Sequence, residues 1–250
     1  MNEYTKNLER IEFVVTMSCT GKCRHCSEGG HYLRGGHIDG NIAAGAVREV
    51  CRYYNIKSLM TFGGEPLLYP DDVCMIQEAA KIAGVPRREV ITNGFFSRDK
   101  RRIAEVADML AHSGVNRVML SVDAFHQETI PIDYVAAFAE SVRKNGVYIE
   151  LHPAWLVSRE ADNPFNVRTR ELLQCFSAKG FEVSDGNVIF PCGNALKFLG
   201  EYFTEQAPPN PYEDDPRDIR ALCFDPDGSV LNGNINISPI MEIIDSYRPV

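Results

Sequence analysis

Residues 11–26 read IEFVVTMSCTGKCRHC, and residues 58–66 read SLMTFGGEP. The first stretch opens with a β-branched apolar strand, Ile11–Thr16, and runs into Cys19, Cys23 and Cys26 at the spacing C-x3-C-x2-C. The second belongs to a strand over Ile56–Phe62 that ends in Gly63-Gly64-Glu65-Pro66. Both chemistry-bearing segments therefore sit just past a strand end. A single loop with three thiolates suits a [4Fe–4S] cluster whose fourth iron lacks a protein ligand, because thiolate is a soft ligand for iron–sulfur centres and zinc. A closed zinc site is the alternative, and it needs a fourth ligand such as His25 or His31.

Outward from these stretches the pattern alternates. Helices are predicted over Ile42–Tyr54, from Asp71 to Ala83, and over Arg98–His112, Ile132–Lys144 and Val167–Lys179, each with apolar residues near a 3.6 period. Strands are predicted over Glu89–Thr92, Val115–Val122, Val147–Val157 and Val183–Phe190. Alternation of this kind implies βα units on a parallel sheet. Six units are too few for a closed eight-stranded barrel. The expectation is an α/β fold, a partial (βα)6 TIM-like barrel over residues 1–190, with a C-terminal extension over 191–250. Cys19, Glu65, Asn93 and Asp123 all fall at or beyond the C-terminal ends of successive strands, the rim where such folds bind ligands. In the extension, Pro191–Asp218 reads as loop. Ala221–Phe224 and Ser229–Leu231 read as a hairpin about Asp225-Pro226-Asp227-Gly228, and Ile240–Tyr247 as a short helix.

The chain has 250 residues, 44% of them hydrophobic, enough for one sizeable core. Its net charge of −8 and lack of a basic run disfavour a nucleic-acid partner. No apolar run reaches membrane-span length, and Met1–Glu12 carries no signal-like segment, so a cytoplasmic protein is expected, with no membrane partner. Eight cysteines with three clustered fit metal ligation in a reducing compartment better than a disulfide framework. Cys51, Cys74 and Cys175 are expected to pack in the core.

The pair Cys19-Thr20-Gly21-Lys22-Cys23-Arg24-His25-Cys26 and Gly63-Gly64-Glu65-Pro66, in this order after these strands, resembles the radical S-adenosylmethionine enzyme superfamily over about Ile11–Phe190. One position departs: His25 stands where that family usually has another aromatic residue. The resemblance implies that Cys19, Cys23 and Cys26 hold one [4Fe–4S] cluster. It implies that S-adenosylmethionine chelates the open iron and is reductively cleaved to a 5′-deoxyadenosyl radical, with an electron donor such as flavodoxin or ferredoxin. It also implies cofactor contacts at His25, Gly63, Gly64, Glu65, Asn93, Ser121 and Asp123. His126 and His152 are rim histidines that could face substrate.

Leu222–Val230 is similar to the start of the SPASM or twitch extension of peptide-modifying members. The position expected to hold a later cysteine instead reads Leu231-Asn232-Gly233-Asn234, so one cluster and a reduced extension are expected. Cys223, and after it Cys192, are candidate hydrogen-atom donors to a carbon radical. The substrate reading is a peptide or peptide-like molecule, with a small metabolite as the alternative. Little chain precedes Ile11, which leaves no room there for a peptide-recognition domain. A non-catalytic iron–sulfur carrier or scaffold is the competing class.

Overall fold

The structure, a computed structural model, describes residues 2–29, 36–203, 210–211 and 215–249. His31 lies outside them, as do Pro208, Pro209, Glu213 and Asp214. The chain runs β1 (Arg10–Thr16), α1 (Gly40–Tyr53), β2 (Ser58–Gly63), α2 (Pro70–Ile82), β3 (Arg87–Thr92), α3 (Lys100–Ser113), β4 (Arg117–Leu120) and α4 (Ile132–Lys144). It continues through β5 (Tyr148–Leu151), β6 (Ala154–Trp155), α5 (Pro164–Ser177), β7 (Glu182–Val183), β8 (Asn187–Val188) and α6 (Gly193–Leu199). It ends with β9 (Ala221–Phe224), β10 (Ser229–Val230), β11 (Gly233–Asn234) and α7 (Ile240–Ser246).

Helix starts follow local chemistry. Asp39, Asp99 and Asn163 each accept a hydrogen bond from the backbone N–H two residues on, which satisfies donors that a first turn leaves free. The helices then lay their apolar faces on one side of the sheet. Ile11, Phe13, Val15, Leu59, Val90, Val118, Leu120 and Ile149 meet Val47, Val50, Val73, Ile76, Ile103, Leu110, Val135 and Phe138 there, all buried. The alternating partners Glu12, Met60, Glu89 and Arg117 share the opposite, inward face, because pleated strands send successive side chains to opposite sides.

The main sheet has the order β7-β5-β4-β3-β2-β1-β9, with every pairing parallel. This is the expected α/β architecture of an open, barrel-like sheet. One strand comes from an unexpected place. Ala221–Phe224 pairs parallel with β1, Glu12 opposite Cys223 and Phe13 opposite Phe224, rather than forming a hairpin with Ser229–Leu231. Packing explains it: Phe224 stacks on Phe13 at 4.5 Å, and both are buried. The antiparallel hairpin is instead β10 with β11.

Other differences are local. The fifth strand breaks at His152-Pro153, since proline lacks the N–H that a central ladder needs. Its second piece, β6, pairs with β8 in a small separate sheet. Gly193–Leu199, read as loop, forms a helix. Helix α5 begins three residues before the expected start; its buried face includes Leu172, Leu173 and Phe176, and Cys175 lies off that face and is exposed. Cys51 and Cys74 are partly buried against the core.

The two chain ends are joined. Asn2 is buried, accepts from the Tyr4 N–H at 2.9 Å, and donates to the carbonyls of Ile244 (2.9 Å) and Tyr247 (2.7 Å). No helix among the described residues is long and apolar enough to cross a membrane.

Candidate active site

The cysteine loop leaves the top of β1 and is gripped on several sides. Cys19 Sγ accepts from the Gly21 N–H at 3.3 Å and from Asn93 Nδ2 at 3.6 Å. Asn93 Nδ2 also reaches Thr20 Oγ1 at 3.3 Å, and its Oδ1 accepts from the Phe95 N–H at 2.8 Å, which fixes the amide orientation. The Lys22 N–H donates to Thr129 Oγ1 at 3.1 Å. Arg24 makes a two-pronged ion pair with Glu128 and lies 4.9 Å over the Phe165 ring. The loop is thus tied to the ends of β3 and β4, as a cofactor rim requires.

Gly63 and Gly64 owe their small size to this loop. A Cβ on Gly64 would lie 2.3 Å from the Ser18 carbonyl oxygen, and one on Gly63 would lie 2.6 Å from that of Thr16. Gly63 also has φ +128°, a conformation that L side chains rarely adopt. The close approach seen is between two backbones. The Gly64 N–H donates to Thr16 O at 2.7 Å, and the Glu65 N–H to Ser18 O at 2.8 Å. The Gly-Gly-Glu turn therefore sets the direction in which the chain enters the cysteine segment.

Glu65 has no exposed surface. Its carboxylate accepts from the Leu67 N–H (2.9 Å), Thr92 Oγ1 (2.7 Å) and the Asn93 N–H (2.9 Å). Burial pushes its carboxyl up to about 7, against the pull of those three bonds. Glu65 locks β2 to β3 and holds the backbone of Asn93, the residue that donates to Cys19.

Asp123 is equally buried and fully engaged. It accepts from the N–H groups of Phe125 (3.0 Å), His126 (3.0 Å) and Ala154 (3.1 Å), and from His126 Nδ1 at 2.7 Å. Burial alone would raise its carboxyl, yet the His126 charge and hydrogen bond hold it well below the usual range. Asp123 thereby orients His126, whose ring meets the edge of His25 at 4.7 Å, while Phe125 packs 5.1 Å from His25. Ser121 is buried at the end of β4, its N–H bonded to Thr92 O at 2.9 Å. His152 lies at the β5–β6 break with Nδ1 2.9 Å from Ser184 Oγ, and burial lowers its basicity.

The remaining candidates come from the C-terminal segment. Cys192 is exposed and sits at the N-cap of α6. Cys223 is exposed on the inward face of the sheet, opposite Glu12. The walls of that concave face still press on its thiol, and burial first, then Glu12, Asp225 and Glu28, push it up to about 12.

The donor set fits an iron–sulfur cluster. Cys19 and Cys23 converge, since a Cβ on Gly21 would be 3.7 Å and 3.2 Å from their sulfurs, and Cys26 acts electrostatically on both. Burial pushes both thiols up, Cys19 to about 12, as for ligands shielded from water that lose their proton on binding metal. His25 Nδ1 is buried with no hydrogen-bond partner, and burial drives that imidazole down to about 4. An orphaned polar atom in the segment that carries the three thiols is what a site built around a further group leaves behind. Cys23, His25 and His126 also bring one sulfur and two ring nitrogens within 4.8 Å of one another, a set that uses one of the three motif thiols.

The pattern of the Radical SAM superfamily matches residues 13–150. The chain belongs to that superfamily. Its cofactors are accordingly a [4Fe–4S] cluster and S-adenosylmethionine. Among curated proteins it is 25% identical over 127 residues to the probable GTP 3′,8-cyclase of Methanocaldococcus jannaschii, covering 51% of this chain and 40% of that protein. It is 22% identical over 204 residues to the GTP 3′,8-cyclase of Clostridium perfringens strain 13, covering 72% and 60%. The chain thus spans about half the length of these relatives. Two solved structures share the fold at low identity. One is anSMEcpe with bound AdoMet, with a TM-score of 0.61, 16% identity and coverage of 96% and 77%. The other is SuiB of Streptococcus suis bound to precursor peptide SuiA, with a TM-score of 0.55, 11% identity and coverage of 97% and 68%.

Several residues escaped the sequence reading. Thr92 completes the Glu65 cage, the Arg24–Glu128 pair anchors the loop, and Asn194 reaches it from the C-terminal segment. None carries a local signal, because each partner is distant in sequence.

Proposed function

We propose that this radical S-adenosylmethionine enzyme abstracts a hydrogen atom from a peptide or peptide-like substrate and that Cys223 returns one to the resulting carbon radical. The observation that carries the reading is the placement of Cys223. Its sulfur lies on the inward face of β9, in register with Glu12 of the strand that feeds the cysteine loop. A hydrogen-atom donor must keep its S–H bond, and the burial and acidic neighbours that raise this thiol to about 12 keep it protonated at neutral pH. When bound, the cluster and nucleotide supply the primary carbon radical that removes hydrogen from substrate.

This chain's residues do the rest. Cys19, Cys23 and Cys26 would hold the irons, and Asn93 hydrogen-bonds to the Cys19 sulfur. Gly63, Gly64 and Glu65 would shape the rim of the nucleotide site by setting the path of the cysteine loop. Ser121 and Asp123, just past β4, would form another side of that site, Asp123 by orienting His126 against His25. At substrate, the Cys223 S–H bond breaks and a C–H bond forms, leaving a thiyl radical. One electron from a flavodoxin- or ferredoxin-class donor and one proton from solvent restore the thiol. Cys192 is the second candidate for that role.

Support for a peptide is that the fold accommodates one, since SuiB was solved with its precursor peptide. A small metabolite is the second reading, favoured by the GTP 3′,8-cyclases among the curated relatives. Anaerobically reconstituted protein, reduced with S-adenosylmethionine, should release 5′-deoxyadenosine, and a panel of peptides and purine nucleotides should show which class accelerates that release. With the active class, Cys223→Ala should stop product formation while cofactor cleavage continues. Unimpaired product from that variant removes Cys223 from the chemistry.

A further inference from the structure

The cysteine loop is held from one more direction, and that contact belongs to no motif. Between Cys23 and Gly29 the chain makes two successive turns, Cys26 N–H to Cys23 O and Gly29 N–H to Cys26 O, each at a long 3.4 Å. Bonds of that length are weak. A residue from far along the chain supplies shorter ones. The Asn194 N–H donates to Cys26 O at 2.9 Å, and its Nδ2 donates to Cys23 O at 3.2 Å and to Gly29 O at 3.1 Å. One side chain and its own amide thus collect three carbonyls spaced three residues apart, two of them on cluster cysteines.

The approach is close enough to require glycine beforehand. Gly193 has φ +53°, and a Cβ there would lie 2.1 Å from Ser27 O and 2.8 Å from Cys26 O. Because Asn194 satisfies the carbonyls, it straightens no sulfur directly. It fixes the turn geometry, and with it the separation and aim of the Cys23 and Cys26 side chains.

We infer that Asn194 is a positioning residue for the iron–sulfur cluster, and that through it the C-terminal segment governs how firmly the cluster is held and how its electronic state is set. Partners one shell beyond the ligands have that leverage in metal sites, where their loss costs about 10- to 100-fold in metal affinity. Neighbouring hydrogen bonds and solvent exposure likewise tune the reduction potential of such clusters. The inference concerns this chain's residues toward the family cofactor and is independent of the substrate.

The test compares Asn194→Ala and Asn194→Asp with Leu196→Ala, an exposed position on the same helix. Each protein is reconstituted anaerobically, and iron and sulfide per chain, cluster loss to a chelator and the electron paramagnetic resonance spectrum of the reduced cluster are measured. Melting of the metal-free protein reports the fold. We expect Leu196→Ala to match the unmodified chain, and Asn194→Ala to lose its cluster to chelator about 10- to 100-fold faster with an altered resonance spectrum. Asn194→Asp should be worse, because its second oxygen faces carbonyls. Unchanged chelator loss and an unchanged spectrum in both Asn194 variants overturn the inference. Should those variants fail to fold, amide exchange in the unmodified chain decides. Exchange over residues 193–199 should slow on cluster loading, and equal exchange with and without cluster overturns it. Absence of any cluster in the unmodified chain would instead strike at the family cofactor itself.

Discussion

Replacing Glu65 by glutamine should make the metal-free protein progressively more resistant to heat, relative to the parent, as pH rises from 5 to 8. Glu65 is fully buried, and burial raises its carboxyl from 4.5 to about 7 despite three hydrogen bonds. The folded chain therefore holds a proton on Glu65 at pH values where the unfolded chain has released it. For such a group the stabilisation is complete below about pH 4.5 and is lost as pH rises to about 7. At about 1.4 kcal/mol per pH unit, the loss across that window is about 3 kcal/mol. Glutamine does not titrate, so the variant lacks this loss; its NH2 cannot accept as the replaced oxygen does, and that cost is the same at every pH. For a chain of this size 1 kcal/mol moves the melting point by about 2–4 °C, so the gap between variant and parent should open by roughly 6–12 °C from pH 5 to pH 8. The assay is thermal melting of the two metal-free proteins across that range. Ionisable groups that do not feel the Glu65 charge cancel in the difference; Cys19 and His126 are the neighbours that do feel it. A gap that stays constant with pH, or that closes as pH rises, refutes the claim that burial outweighs the three hydrogen bonds at Glu65.

Gly64→Ala should lower iron content after reconstitution, because its Cβ would meet the Ser18 carbonyl at 2.3 Å and push the cysteine loop off its path. Gly45→Ala, whose Cβ meets nothing within 4 Å inside α1, should bind iron normally and melt slightly higher. Equal iron in the two variants would show that the Gly64 approach is dispensable. Asn2→Ala should cost about 1–3 kcal/mol in denaturant unfolding, since it leaves the buried carbonyls of Ile244 and Tyr247 without their donor. It should also speed proteolysis of the C-terminal segment, and an unchanged midpoint would show that the two chain ends are not coupled.

The sheet was legible from strand and helix periodicity because five βα units repeat the same local grammar, and helix positions agree with the pattern within a few residues. The three thiols and the Gly-Gly-Glu turn were legible because their spacing is short and their chemistry specific. What the pattern missed depends on long-range packing. Ala221–Phe224 looks like one arm of a hairpin from its flanking turn, but the stacking of Phe224 on Phe13 recruits it to the edge of β1. Gly193-Asn194 follows a proline and a cysteine and reads as a turn. Its value appears only when it lands on carbonyls 165 and 171 residues away. Cys175 shows the same limit in reverse: grouped with Leu172 and Phe176 by the pattern, it lies outside the buried stripe through Thr169, Leu172, Leu173 and Phe176 and is exposed.

Two of these misses, β9 and Asn194, share a location. β1 carries the cysteine loop at its upper end, and both unforeseen contacts come from the C-terminal quarter of the chain. β9 flanks β1 from below with Cys223 opposite Glu12, while Asn194 holds the loop from above. The loop would otherwise rest on two 3.4 Å turns, the Gly-Gly-Glu turn after β2 and its anchors at the ends of β3 and β4. Sequence that looks like an appendage is thus built into the strand and the loop on which the chemistry depends. Loosening the C-terminal segment should therefore disturb the cluster before it disturbs the core, because most of the core's apolar contacts lie on the helical side of β1–β5.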